Sequence, residues 1–103
     1  MANELEYQAA VLKVLGDKTR LAIMALLKER EYCACDLLDF FDMSQPAISQ
    51  HLKKLKALGL ITETRRAQWA YYQINEASEH YPLVKAVLGF VAYVCDLPGS
   101  TCD

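Results

Sequence analysis

Apolar residues recur every three or four positions over most of the chain and every second position over one short stretch, so the pattern predicts helices interrupted by a small β unit. Leu5, Ala9, Leu12 and Leu15 predict a first helix from Glu4 to Leu15, started by Asn3 with Glu6 three residues on and stopped by Gly16. Asp17 caps a second helix, Lys18 to Glu29, whose Leu21, Ile23, Met24, Leu26 and Leu27 are too dense for a surface helix and place it in the core. A short third helix covers Ala34 to Phe41, and Asp42, Met43 and Ser44 form a turn. Ser44 caps a fourth helix, Gln45 to Leu58, which Gly59 terminates. That helix carries Ile48, Leu52, Leu55 and Leu58 on one stripe, with Gln45, Ser49, Gln50, Lys53, Lys54 and Lys56 elsewhere. Leu60 to Arg65 and Trp69 to Ile74 then read as two strands joined by a turn at Arg66 to Gln68. A last helix, Glu79 to about Asp96, repeats Leu83, Val87, Leu88, Val91 and Val94 and stops at Leu97, Pro98 and Gly99.

A short helix, a three-residue turn and a second N-capped helix make a helix-turn-helix, and a hairpin directly after it makes a winged helix. The expected fold is mainly α with a small β-hairpin, about five helices plus a wing. With 103 residues, 53% of them apolar, one domain over 1–103 is expected: helix-turn-helix about 34–58, wing about 60–74, last helix about 79–96. The longest apolar stretch, Leu83 to Val94, is broken by Lys85 and too short to span a bilayer, and the N-terminus lacks the order of a signal peptide. A cytoplasmic protein without a membrane partner is expected. Leu83, Val87, Val91 and Val94, with Tyr81, Phe90 and Tyr93 nearby, offer more apolar surface than a five-helix monomer covers, which points to a homodimer.

The net charge of −2 hides a split. From Ser44 to Asn75, Lys53, Lys54, Lys56, Arg65 and Arg66 face only Glu63, leaving +4 there and −6 elsewhere. A basic middle between acidic ends fits one face built for a polyanion. An α-helix fits the major groove of B-DNA, and Ser44, Gln45, Ser49 and Gln50 near the start of the fourth helix are suited to base edges. His51, Lys53 and Lys54 fall nearer the phosphates, and Arg65 and Arg66 on the hairpin reach backbone or minor groove. Two such helices one turn of DNA apart would read an inverted repeat. The plain alternative is a solvated polar face, against which the hairpin and the charge split both count. Lys56, late in the helix, is left aside as an ordinary solvent lysine.

Four cysteines, Cys33, Cys35, Cys95 and Cys102, are read as reduced thiols. Residues two apart share one side of an extended chain but lie about 200° apart around a helix, so Cys33 and Cys35 meet only if their segment is extended or the helix start unwinds. An inducer that pulls them together would then distort the third helix and displace the fourth. The helix N-terminus favours thiolate there and Asp36 opposes it. Thiolates select arsenite, antimonite, Cd(II), Pb(II) or Zn(II), while a structural zinc site wants four ligands, more than this segment offers. A buried small hydrophobe is the plain alternative for a cysteine, above all for Cys95. A redox or sulfide switch, in which two cysteines oxidise to a disulfide or persulfide, is a further reading, with Cys95 and Cys102 as the redox pair because a bond between Cys33 and Cys35 closes a cramped ring. Nothing points to an enzyme: the chain has no Cys-x-x-Cys, no arginine six residues after a cysteine and no glycine-rich phosphate loop. A pure dimerisation module would bind no DNA.

The run CACDLLDFFDMSQPAISQHLKKLKALGLI and the preceding LGDKTRLAIMALL resemble the ArsR/SmtB family of metal-responsive repressors over roughly Leu12 to Ile74. The resemblance implies a homodimer joined through the first and last helices that represses a resistance or efflux operon until an inducer binds. It narrows the inducer to As(III) or Sb(III), because the arsenite repressors carry a cysteine pair of this kind. They often add a third cysteine three residues later, where this chain has Leu38, so Cys95 or Cys102, even from the other subunit, is the candidate third sulfur. Zinc-binding members use Asp and His on the last helix, where this chain has only His80. The family's wing usually has glycine at its tip. Here the stretch reads Arg65, Arg66, Ala67, Gln68, Trp69, so a positive φ at the tip would strain Ala67.

Overall fold

The computed structural model describes residues 2–91, and the order is α1 (Ala2–Leu15), α2 (Lys18–Glu29), β1 (Tyr32–Cys33), α3 (Ala34–Leu38), α4 (Gln45–Ala57), β2 (Ile61–Arg66), β3 (Trp69–Ile74) and α5 (Tyr81–Leu88). This is the winged helix the periodicity predicts. α2 is its centre: Ala22, Ile23, Met24, Ala25, Leu26 and Leu27 are all buried, because Asp17 caps its start and aims an unbroken apolar run inward. Around it pack Val11 and Leu15 of α1, Leu37 of α3, Ile48, Leu52 and Leu55 of α4, and Val84 and Leu88 of α5.

α1 departs from its predicted stripe. The helix is already formed at Ala2, so Asn3 lies inside it rather than capping it, and the residues it buries are Val11 and Leu15. Leu5, Ala9 and Leu12 stay exposed, at 71% for Leu5 and 49% for Leu12. Those three lie about 100° around the helix from the buried pair, so α1 has two apolar faces and the chain covers one of them.

β1 is the element the sequence pattern misses. It pairs antiparallel with β3, Tyr32 opposite Tyr72 and Cys33 opposite Tyr71, giving a three-stranded sheet of order β1-β3-β2 in place of a free hairpin. Two residues are too few to show alternation. α3 is shorter than predicted, ending at Leu38, with Asp39 as its C-cap. α4 begins at Ser44, whose Oγ accepts the Ala47 N–H at 3.3 Å. It ends as the sequence predicts. Gly59 turns with φ +74°, its N–H bonds to the Lys56 carbonyl, and the Leu60 N–H bonds to the Leu55 carbonyl. The last helix is shorter than predicted at both described ends: it starts after His80 at Tyr81 and stops at Leu88, where Gly89 is its C-cap and Phe90 and Val91 already lie beyond it; Tyr93 and Val94 of the predicted stretch lie outside the described residues. No helix among the described residues is long and apolar enough to cross a membrane.

The wing turn is a two-residue loop between the paired Arg66 and Trp69, and Ala67 sits in it at φ 56°. A two-residue hairpin turn with positive φ at its first position prefers glycine there. Ala67→Gly is therefore expected to stabilise the protein by about 0.5–1 kcal/mol, the relief of left-handed strain exceeding the entropy glycine adds to the unfolded chain. An unchanged or lowered midpoint in urea would show that the wing does not hold this turn.

Candidate nucleic-acid interface and thiol centre

The faces of α4 follow from 100° per residue. Ile48, Leu52 and Leu55 form the buried stripe, Gln50 and Lys53 lie opposite it, and Ser49 and Lys54 flank them. Gln45, Ser49, Gln50, Lys53 and Lys54 are all exposed. Ser44 is exposed but occupied as the N-cap. The structure thus gathers six of the nine sequence-selected polar residues along one helix, with Pro46 in its first turn and the Ala47 N–H taken by the Ser44 cap.

The other three are turned to protein partners. His51 lies beside the buried stripe, and its Nδ1 is 3.2 Å from Arg20 Nη1 on α2. Arg66 pairs with Glu31 at 2.6 Å and sits 4.5 Å over the Tyr71 ring. Arg65 Nε is 3.5 Å from Glu63, which also takes Lys56 at 2.8 Å. That hydrogen bond raises the Lys56 pKa and ties the end of α4 to β2, a partner that the sequence pattern does not show. Arg65 and Arg66 remain 71% and 53% exposed, and exposed pairs of this kind are worth about 0–1 kcal/mol, little enough for a phosphate to displace them.

The thiol centre stands where β1 meets α3. Cys33 is extended (φ −83°, ψ 165°) and is the N-cap of α3, while Cys35 is one residue into the helix. With Cα atoms 5.4 Å apart the two form a disulfide, where the sequence predicts reduced thiols. Of the two routes that the spacing leaves open, an extended segment or an unwound helix start, the structure takes the first, because the strand supplies the extended residue. A second expectation is corrected by this junction: a bond between Cys33 and Cys35 is not barred by a cramped ring. Cys33 is also structural. It is 5% exposed, its Sγ accepts the Asp36 N–H at 3.2 Å, and its own N–H donates to Asp36 Oδ2 at 3.4 Å, a capping box with sulfur in the place of a hydroxyl. Cys35 is exposed. The Asp36 carboxylate lies within 4.8 Å of both sulfurs, a donor the sequence reading treated only as a charge. Its position at the third residue after an N-cap was the signal that it folds back on the cap. Cys95 and Cys102, the candidate third sulfurs, lie outside the described residues.

A helix-turn-helix with a polar outer face, a wing locked to a cysteine-bearing strand and a family model for bacterial regulatory proteins of the arsR family matching residues 17–63 agree with one another. The arsenical resistance operon repressor of Escherichia coli K12 is 39% identical over 87 residues, covering 84% of this chain and 72% of that one. The chain belongs to the ArsR family. A second relative, the arsenical resistance operon repressor of Staphylococcus aureus, is 44% identical over 69 residues, 67% of this chain and 66% of that protein. The chain therefore spans about two thirds to three quarters of the length of these two relatives. In three dimensions it resembles reduced HlyU from Vibrio cholerae N16961, with a TM-score of 0.77 and 25% identity over 90% of this chain and 97% of that one. The ArsR fold is that of a DNA-binding transcriptional regulator, which is not an enzyme class.

Proposed function

We propose that this ArsR-family chain is a cytoplasmic, homodimeric repressor that leaves an inverted-repeat operator when Cys33 and Cys35 take up trivalent arsenic or antimony. The observation that carries the reading is the pre-assembled sulfur pair at the start of the helix-turn-helix. The names of the two arsenical resistance repressors it resembles support it. Once a dithiol reductant has given two electrons and two protons to the Cys33–Cys35 bond and been oxidised itself, each sulfur–arsenic bond forms as a thiol proton leaves with one hydroxide of arsenous acid as water, so two thiols release two waters and one As–OH is retained. Asp36 is placed to accept a hydrogen bond from that hydroxyl. A Cys33 sulfur committed to arsenic is a poorer acceptor for the Asp36 N–H, which weakens the cap of a five-residue helix by about 1 kcal/mol and loosens its hold on α4. Because Cys33 pairs with Tyr71, the same displacement reaches the wing.

On the DNA side, Gln45, Ser49 and Gln50 read base edges, Lys53 and Lys54 hold phosphates, and Arg65 and Arg66 leave Glu63 and Glu31 to engage the backbone beside them. Gln50→Ala is expected to weaken operator binding about tenfold or more while sparing binding to unrelated duplex, as one lost base contact would. Equal weakening on both DNAs would make Gln50 a solvent residue. The exposed Leu5, Leu12 and Phe90 are covered by the second copy.

Fluorescence anisotropy on DNA from the gene's own upstream region, titrated anaerobically with arsenite, antimonite, Cd(II) or Pb(II), tests the inducer. Release by stoichiometric arsenite or antimonite supports the metalloid reading, and release by the divalent ions alone replaces it. A second reading, a redox-responsive regulator, is favoured by the contact of the Cys33 and Cys35 sulfurs: a peroxide would take two electrons and two protons from the thiols and leave as two waters. Release by peroxide but not by arsenite selects it.

A further inference from the structure

The segments LGDKTR and QHL, separate in the sequence, meet at one guanidinium. Arg20, in the first turn of α2, donates from Nε to the Val14 carbonyl at 2.7 Å, satisfying an orphan acceptor in the last turn of α1. Its Nη1 is 3.2 Å from Nδ1 of His51 on α4. Its backbone N–H donates to Asp17 Oδ2 at 3.0 Å, and that oxygen is 3.9 Å from His51 Nδ1. The Arg20 backbone N–H bond, against the opposing effect of burial and helped by the Arg20 charge, holds the Asp17 carboxyl below the ordinary carboxylate range. One arginine therefore joins the helix with the uncovered apolar stripe, the central helix and the polar-faced helix.

Arginine only donates, so the Arg20 contact requires His51 Nδ1 to be an acceptor and puts the imidazole proton on Nε2. We propose that Arg20 and His51 are a positioning pair that fixes the tilt of α4 against α1 and hence the presentation of its polar face to DNA. His51 acts through Arg20 and not as a phosphate ligand. The proposal rests on the DNA-binding reading of α4. Apolar packing of Ile48, Leu52 and Leu55 seats α4, but its attraction is not directional. A hydrogen bond at the margin of the stripe supplies a directional restraint.

The amide oxygen of asparagine falls where His Nδ1 lies, and the amide of glutamine falls where His Nε2 lies. His51→Asn is therefore expected to hold operator affinity within about threefold, and His51→Gln and Arg20→Met to lose about tenfold, the worth of a hydrogen bond to a charged group. The reverse order for the two His51 variants is the signature of a phosphate contact through Nε2 and overturns the proposal. Equal loss in both overturns it too, as does equal retention. Thermal midpoints of all three are read alongside, and nitrogen-15 spectra of the wild-type imidazoles decide the point without any variant or DNA. A neutral Nε2–H tautomer for His51 is expected, and an Nδ1–H tautomer refutes the pair. If wild-type protein binds no operator while the spectra show that tautomer, the DNA reading has failed and the Arg20 contact has not.

Discussion

Cys33→Ser and Cys35→Ser proteins are expected to bind the operator within about threefold of wild type and to remain bound at arsenite concentrations about 100-fold above those that empty the wild-type complex, since an oxygen donor does not replace a thiolate for a soft ion. The serine variants are informative because of what Cys33 does structurally. Its sulfur is the N-cap of α3, and serine is among the best residues for that role, so Cys33→Ser removes the ligand and keeps the cap. Cys33→Ala removes both, and is expected to cost a further 1 kcal/mol or about that in unfolding free energy. Anisotropy titrations measure the first effect and urea unfolding the second. Wild-type release by arsenite in both serine variants would place the inducer elsewhere in the protein.

Leu55→Ala is expected to destabilise the fold by about 2–5 kcal/mol, enough to lower the thermal midpoint by roughly 10–25 °C in a domain of this size. Leu55 is 0% exposed, in the stripe that seats α4 on α2, and the alanine leaves a void that the surrounding helices only partly close. It is also the residue whose carbonyl receives the Leu60 N–H where the chain turns from α4 into β2, so loosening there reaches the wing. Lys54→Ala, one residue away and exposed, is expected to change stability by less than about 0.5 kcal/mol. Similar losses in both would mean that α4 is not held by its apolar stripe.

The contrast between these neighbours shows which parts of the molecule the sequence makes legible. α2 and α4 read clearly because each has a side-chain cap at its start, with a dense apolar run in α2 and a sustained period of 3.6 in α4, and the β2–β3 hairpin because aromatic and β-branched residues change that period to two. Leu5, Ala9 and Leu12 of α1 misled because two apolar faces overlap in one sequence, and periodicity cannot tell the face that this chain covers from the one it leaves open. β1 escaped because two residues carry no period; its evidence is the partner strand about forty residues later. The thiol centre was half legible. The spacing identified the pair, but the local geometry depended on a strand–helix junction that only the pairing of Cys33 with Tyr71 reveals. His51 sat in a plainly polar run, yet its angle from the buried stripe, about 60°, already put it at the margin of the core rather than on the outer face.

The two sulfurs of the thiol centre have unequal mutational freedom. Cys33 is at once core side chain, helix cap and strand residue, so any replacement must satisfy three neighbours before it can alter what is bound. Cys35 is exposed in the first turn of a short helix and, apart from its bond to Cys33, carries no such packing or capping role, so on the proposed reading it answers mainly to the inducer. Variation at position 35 can therefore explore new ligand chemistry while the fold is inherited unchanged, whereas position 33 is tied to the architecture. A lineage of such proteins would change what it senses one exposed residue at a time.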